Sequence, residues 1–184
     1  MDLSEKKIKS DIIFNGRIIN VTGDTVMLSN GKEASREVVH HPGGVCIAAL
    51  TEDNELLFVR QFRYPYHEVV LELPAGKLEK GSDPLENGKR ELLEETGATG
   101  YSYITLGQLY PSPGYTDEII HLYFCRVASL GEAAPDEDEF LEIEKIPLQK
   151  AVEMVLNNQI PDSKTQTAVL KTAMLLKRGS SYAD

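Results

Sequence analysis

The chain is poor in cysteine. Its 2 cysteines, Cys46 and Cys125, each lie inside an apolar run, so they read as buried thiols of a cytoplasmic protein, and a disulfide framework is excluded. No apolar run approaches the ~20 residues of a membrane helix, which excludes a helical membrane protein. The opening segment is polar and lysine-containing with no apolar core behind it, so no secretory signal is expected. Basic charge is also short. With 19 Lys and Arg against 29 Asp and Glu the net charge is −10, which argues against a nucleic-acid-gripping protein. Repeats, linkers and low-complexity tracts are lacking too, so collagen-like, mucin-like and wholly disordered chains are excluded. What is present is an ordinary composition, 41% apolar and 26% charged over 184 residues, enough for one domain with a proper core.

The acidic charge is unevenly spread. Residues 130–146 hold seven carboxylates and one lysine, a local −6, so more than half the net charge falls in 17 residues. Taken alone, such a run is a solvated loop.

β-branched runs at 11–21, 25–29 and 33–39 predict strands, with Asn30-Gly31 as a hairpin turn. Apolar runs at 45–50 and 56–62 flank Glu52-Asp53-Asn54 and predict a second hairpin; 69–73 follows as a strand. Then the period changes. Asp83-Pro84-Leu85-Glu86 supplies an N-cap, a proline at the first helical position and a glutamate at the third, predicting a helix over 84–96 that stops at Gly97. Strands are expected at 103–110, 119–127 and 139–146, and helices at 148–156 and 165–177, the last behind a capping box from Ser163 to Gln166. The sum is an α+β pattern.

The central helix carries Arg90, Glu91, Glu94 and Glu95. Residues three and four apart share a face, so the three glutamates crowd one side of the last two turns. Like charges at that spacing, and anions at a helix C-terminus, are both unfavourable. Carboxylates held together against that cost are the hard oxygen ligands that Mg²⁺ or Mn²⁺ takes. For this helix alone, a solvated acidic face is the better explanation.

The preceding loop changes that balance. Residues 76–98 read GKLEKGSDPLENGKRELLEETGA, which resembles the Nudix box G-x5-E-x7-R-E-U-x-E-E-x-G-U, with U aliphatic. Gly76, Arg90, Glu91, Leu92, Glu94, Glu95, Gly97 and Ala98 fall in register over 23 residues. Ser82 stands where the first glutamate is expected. In the family that glutamate pairs with the box arginine, so its loss bears on how Arg90 is anchored; Asp83 is the nearest substitute, although capping competes for it. Gly88 interrupts the helix at about 1 kcal/mol relative to Ala, which would suit close packing beneath it.

Arg60-Gln61-Phe62-Arg63, Glu72-Leu73-Pro74-Ala75-Gly76 and Ser112-Pro113-Gly114-Tyr115-Thr116-Asp117-Glu118 extend the resemblance to the ADP-ribose pyrophosphatase branch of the Nudix hydrolases, as does Pro113, 15 residues beyond Ala98. The resemblance implies an α/β/α sandwich with a mixed sheet, residues 43–184, preceded by an antiparallel β arm, residues 1–42, swapped in a homodimer. It implies that the Ala75 carbonyl, Glu91, Glu95 and Glu139 ligate Mg²⁺ or Mn²⁺, with Glu94 in a secondary role. Glu137 would be the general base. Arg63 would meet the diphosphate; Ser112, Pro113, Gly114 and Glu118 would meet the terminal ribose. Arg36 and Glu37 would reach substrate from the partner subunit, and Arg17 and Ile18 would flank the adenine. The implied reaction is hydrolysis of ADP-ribose to AMP and ribose 5-phosphate. Its rivals are another nucleoside diphosphate sugar, such as GDP-mannose or ADP-glucose, and a non-catalytic ADP-ribose-binding module. No nucleic acid or membrane partner is implied.

Overall fold

Three strands come first, β1 (Lys6–Asn15), β2 (Asn20–Met27) and β3 (Glu33–His40), in one antiparallel sheet in that order. The Asn30-Gly31 signal forms the second turn: Gly31 takes φ +78°, its N–H donates to Leu28 O at 2.9 Å, and Leu28 N–H donates to Lys32 O at 2.8 Å. The run expected as one strand over 11–21 is instead broken at Gly16, whose N–H closes a turn onto Ile19 O at 2.9 Å. Only glycine fits there, because a Cβ would stand 2.5 Å from the Phe14 ring and 2.9 Å from Ile19 O. A glycine inside a β-branched run is a turn signal that the periodicity obscured. Residues up to Gly43 form one compact unit together with Tyr110–Ile119, a segment beyond the expected arm. Val39 N–H donates to Tyr115 O at 2.7 Å, and Asp117 N–H donates to Val39 O at 3.1 Å.

The second unit is Gly44–Leu109 together with the chain from Ile120 onward. The computed structural model describes residues 2–135 and 139–180. Strand β4 (Gly44–Leu50) is buried at all seven positions. Side chains alternate along a strand, so Val45, Ile47 and Ala49 enter one core cluster while Cys46, Ala48 and Leu50 enter another. Helix α1 (Pro84–Thr96) covers the first face through Leu92; α2 (Leu148–Leu156) and α3 (Ser163–Ser180) cover the second through Ala151, Val155, Ala168 and Val169. This is the expected α/β/α sandwich. Gly88 explains how closely α1 sits: a Cβ there would lie 2.6 Å from Ile47 Cδ1 and 2.8 Å from Val45 Cγ2.

The other strands of this unit are β5 (Glu55–Arg63), β6 (Glu68–Glu72), β7 (Ala75–Lys77), β8 (Ala98–Leu109), β9 (Ile120–Leu130) and β10 (Leu141–Pro147). Their order is β10-β5-β4-β9-β8, with β6 on β5 and β7 on β4. The β4–β9 pair is parallel and the rest antiparallel, a mixed sheet. The expected hairpin of 45–50 with 56–62 holds only at its turn, where Leu50 faces Leu56. Beyond that β4 and β5 part, because β7 takes the edge of β4 at Gly44–Cys46. Strand β8 starts at Ala98, directly after the helix cap and earlier than expected. The N-cap of α3 is Asp162 rather than Ser163: its carboxylate accepts the Thr165 N–H at 3.0 Å. Both cysteines are free and buried; burial pushes the Cys46 thiol well up and the Cys125 thiol up to about 12, so neither is a nucleophile at neutral pH.

Candidate active site

The loop–helix segment 76–98 folds as its residues require. Asp83 Oδ1 accepts the N–H groups of Leu85 at 2.9 Å and Glu86 at 3.1 Å, satisfying two orphan donors at the start of α1. Asp83 is therefore occupied as a cap and does not replace the glutamate missing at Ser82. At the other end Gly97 adopts φ +69° and its N–H donates to Leu93 O at 2.8 Å. The chain leaving β9 is tied to this end: Gly131 N–H donates to Gly97 O at 2.8 Å and Ala134 N–H to Glu94 O at 2.9 Å. These bonds satisfy carbonyls that a helix terminus leaves open, and they hold the start of the acidic loop against α1.

The three glutamates of α1 have different surroundings. Glu95 is buried, and its Oε2 accepts the Ala75 N–H at 3.0 Å, linking the helix to β7. Glu91 is half-buried and lies across the Gly76 backbone, where a Cβ would be 2.0 Å from its Cδ. Glycine at 76 is thus what lets the carboxylate in. Arg90 donates to Glu91 Oε1 at 2.6 Å and to Glu94 Oε2 at 2.5 Å. Glu79 Oε1 stands 3.7 Å from the same guanidinium, and Ser82 Oγ donates to the Glu79 carbonyl at 2.8 Å. Arg90 is therefore anchored by Glu91 and Glu94, with Glu79 beside it, although the first box glutamate is gone.

Burial and mutual repulsion shift the carboxyl groups of this face. Burial, then the charges of Glu91 and Glu139, push the Glu95 carboxyl up to about 8 despite the Ala75 hydrogen bond. Burial also raises Glu91, ahead of the opposing pull of Arg90 and the repulsion of Glu94 and Glu139. Among the described residues no ion pair is formed to Glu95. Also among the described residues, no three His, Cys, Asp or Glu side chains already converge as a ligand cage. Glu91 is turned onto Arg90, and Glu137, the expected general base, lies outside the described residues. The donor set nonetheless fits a hard divalent ion in kind: carboxylate oxygens that repel one another, among them the buried Glu95, which forms no ion pair among the described residues.

Arg63, expected at the diphosphate, grips Glu72 through Nε and Nη2, both at 2.6 Å. Glu72 is buried and also accepts from Lys164 Nζ, which stands 3.0 Å from Asp162 Oδ1. Burial pushes the Glu72 carboxyl up, but Arg63 and Lys164 outweigh it and hold the group below its ordinary range. Glu95 and Arg63 each feel the other's charge, so this ion-pair cluster adjoins the carboxylate face. Sequence reasoning assigned no role to Glu72, Lys164, Asp162 or Glu79. One signal was available for Lys164: a cation in the first turn of a helix opposes the helix dipole.

The remaining expected residues belong to the first unit. Arg36 on β3 pairs with Glu5, Nε to Oε2 at 2.9 Å and Nη2 to Oε1 at 2.5 Å, and Glu37 beside it is exposed. Ser112, Pro113 and Gly114 make a turn in which the Ser112 carbonyl accepts the Tyr115 and Thr116 N–H groups at 3.3 Å. Glu118 Oε1 lies 3.3 Å from His41 Nδ1. Arg17 and Ile18 are exposed between β1 and β2.

An ADP-ribose pyrophosphatase of Bacillus subtilis (strain 168) is 40% identical to this chain over 169 residues, 91% of each. A methanol dehydrogenase activator of Bacillus methanolicus is 44% identical over 167 residues, 90% of each. A GDP-mannose pyrophosphatase of Yersinia enterocolitica serotype O:8 / biotype 1B is 34% identical over 140 residues, 71% of this chain and 73% of that one. The NUDIX domain matches residues 40–167, spanning both the acidic helix and the loop that feeds it, and the chain belongs to that family.

Proposed function

We propose that this protein hydrolyses the diphosphate of ADP-ribose to AMP and ribose 5-phosphate, acting as a cytoplasmic homodimer with Mg²⁺ or Mn²⁺. The observation that carries the reading is the buried Glu95 carboxylate, bonded to Ala75, crowded by Glu91 and Glu139 and forming no ion pair among the described residues. The Ala75 carbonyl, Glu91, Glu95 and Glu139 hold the ions. A divalent ion supplies neutralisation of the diphosphate oxygens and a lowered pKa for bound water. Arg63 offers a planar fork to a phosphate, which a lysine would match less well. Glu137 takes the proton of the attacking water. Ser112, Pro113, Gly114 and Glu118 contact the terminal ribose, and Arg36 and Glu37 reach a substrate bound by a second copy of the chain. Exposed Ile8, Ile12, Ile13 and Phe14 on β1 support association, since a three-stranded sheet with apolar side chains in water gains from being covered.

Kinetics with ADP-ribose, ADP-glucose and GDP-mannose test the reading. The highest kcat/KM is expected on ADP-ribose, with AMP and ribose 5-phosphate as products. The relative named for GDP-mannose favours a second reading, which a preference for that sugar would establish. Binding of ADP-ribose without turnover in either metal would establish a non-catalytic module. The relative named as a dehydrogenase activator makes one further measurement worthwhile: methanol dehydrogenase assayed with and without this protein. Sedimentation of a fully active monomer would rule out the dimer. Glu137→Gln should lose about 10²–10⁴-fold in kcat, whereas Glu139→Gln should raise the Mg²⁺ needed for half-maximal rate. Rescue of the first variant by excess metal, but not of the second, would exchange their roles.

A further inference from the structure

Lys164 is hard to explain as a helix residue. It occupies the first turn of α3, where a cation opposes the helix dipole, and its side chain is only 11% exposed. A lysine rarely gives up water unless it is paired. Its partners are Asp162, which at the same time caps the helix, and Glu72, whose side chain is 2% exposed. The helix start is seated on the same stretch by a second bond: Thr165 Oγ1 accepts the Leu73 N–H at 2.9 Å. Leu73 leads through Pro74 to Ala75, whose N–H holds Glu95.

Arg63 meets Glu72 from the other side. In the β5–β6 register Glu72 faces Val59, while Arg63 faces Glu68. Residues 59, 61 and 63 share one face of β5, so Arg63 must fold back along that face to reach Glu72. Glu72 fixes the fork through Nε and Nη2; among the described residues Nη1 is not engaged. Two cations and two carboxylates thus form one cluster, Arg63 and Lys164 with Glu72 and Asp162. Without the ammonium, Arg63 would be the sole counter-ion of a buried carboxylate, and its charge would be consumed there.

We propose that Lys164 is a positioning residue of the hydrolytic site: by sharing the Glu72 carboxylate with Arg63, it sets the direction of the Arg63 guanidinium and leaves part of its charge for the substrate diphosphate. This rests on the reading that Arg63 meets the diphosphate. Lys164 touches no reacting atom, so its effect passes entirely through Arg63.

The test is a double-mutant cycle read by binding. Affinity for an ADP-ribose analogue with a methylene-bridged, non-hydrolysable diphosphate is measured by calorimetry in Mg²⁺ for the parent, Lys164→Met, Arg63→Ala and the double variant, with melting curves to confirm folding. Lys164→Met should weaken binding about tenfold, the order expected for one charge-assisted contact. In the Arg63→Ala background the same change should cost less than about twofold, because coupled residues are not additive. In turnover, KM should rise about tenfold with kcat within about threefold, the mark of lost uniform binding. If Lys164→Met does not fold, Lys164→Gln, which keeps a donor for Glu72 without the charge, gives the same cycle. An equal loss in both backgrounds, or no loss in either, overturns the role of Lys164 while Arg63 keeps its own. If Arg63→Ala itself binds normally, the assignment of Arg63 to the diphosphate falls and the proposal falls with it.

Discussion

Glu72 and Glu95 are buried to the same depth, 2% and 3% exposed, and titrate in opposite directions. Burial raises both. At Glu72 the guanidinium of Arg63 and the ammonium of Lys164 outweigh it, and the carboxyl is held below its ordinary value. At Glu95 burial prevails over the Ala75 hydrogen bond and the charge of Arg63; Glu91 and Glu139 add to burial, and the carboxyl rises to about 8. The chain supplies its own counter-charge where an ion pair must hold elements together. At Glu95, among the described residues, no such pair forms, which is what the proposed metal-ligand role would require.

The largest expected effect breaks the second half of that contrast. Glu95→Gln should lower turnover by orders of magnitude with the fold intact, and the metal-free protein should melt no lower than the parent, since a neutral amide replaces a buried carboxyl whose ionisation burial opposes. Near-normal turnover at saturating Mg²⁺ would refute the ligand assignment. The same substitution at Glu72 should act on stability as well as on Arg63. It leaves Lys164 and Arg63 without their shared anion, and breaking a buried pair costs about 3 kcal/mol by denaturant unfolding at pH 7. Equal stability of the two variants would erase the distinction.

A pH series sharpens the comparison. Glu72 has a lowered folded value, so its stabilisation is present above the ordinary carboxylate value and disappears as pH falls through the folded one. Glu95 has a raised one. The metal-free protein is therefore favoured by its protonated form below about 4.5 and loses stability as pH climbs towards about 8, by at most about 1.4 kcal/mol per pH unit. Melting in a chelator should show that decline in the parent and not in Glu95→Gln, and Mg²⁺ should raise the melting temperature more at pH 8 than at pH 5.5. The smallest effect concerns the support beneath the site. Gly88→Ala gains about 1 kcal/mol of helix propensity, but its Cβ would press on Ile47 and Val45, and overpacking a core costs about 1–3 kcal/mol. A net loss near 1 kcal/mol is expected from unfolding curves; a net gain would mean that Ile47 can turn aside.

Much of the acidic face was legible before any coordinates. Helical spacing placed Glu91, Glu94 and Glu95 together, and Asp83 and Gly97 bounded the helix where they cap it; Gly88 stood out as a costly helix residue, and only the packing of Val45 and Ile47 gives its reason. The turn at Gly16 was missed because the β-branched run around it kept a strand pattern, and the cap of α3 was misplaced by one residue because Asp162 and Ser163 are both good N-caps. Glu139 was expected at the ions and its charge does bear on Glu91 and Glu95, while Glu137 lies outside the described residues.

What depends on neighbours within a few residues is legible along the chain: the cap, the carboxylate face and its glycine stop, because a helix repeats every ~3.6 residues wherever it is placed. Which charges meet across the sheet is a matter of packing. Arg63 and Glu72 are 9 residues apart, Lys164 and Glu72 are 92 apart, and Ala75 and Glu95 are 20 apart. Their meeting depends on the β5–β6 register, on β7 displacing β5 from the edge of β4, and on the seating of α3 through Thr165. No local pattern encodes those distances, since they are set by how the apolar faces of separate elements pack into one core.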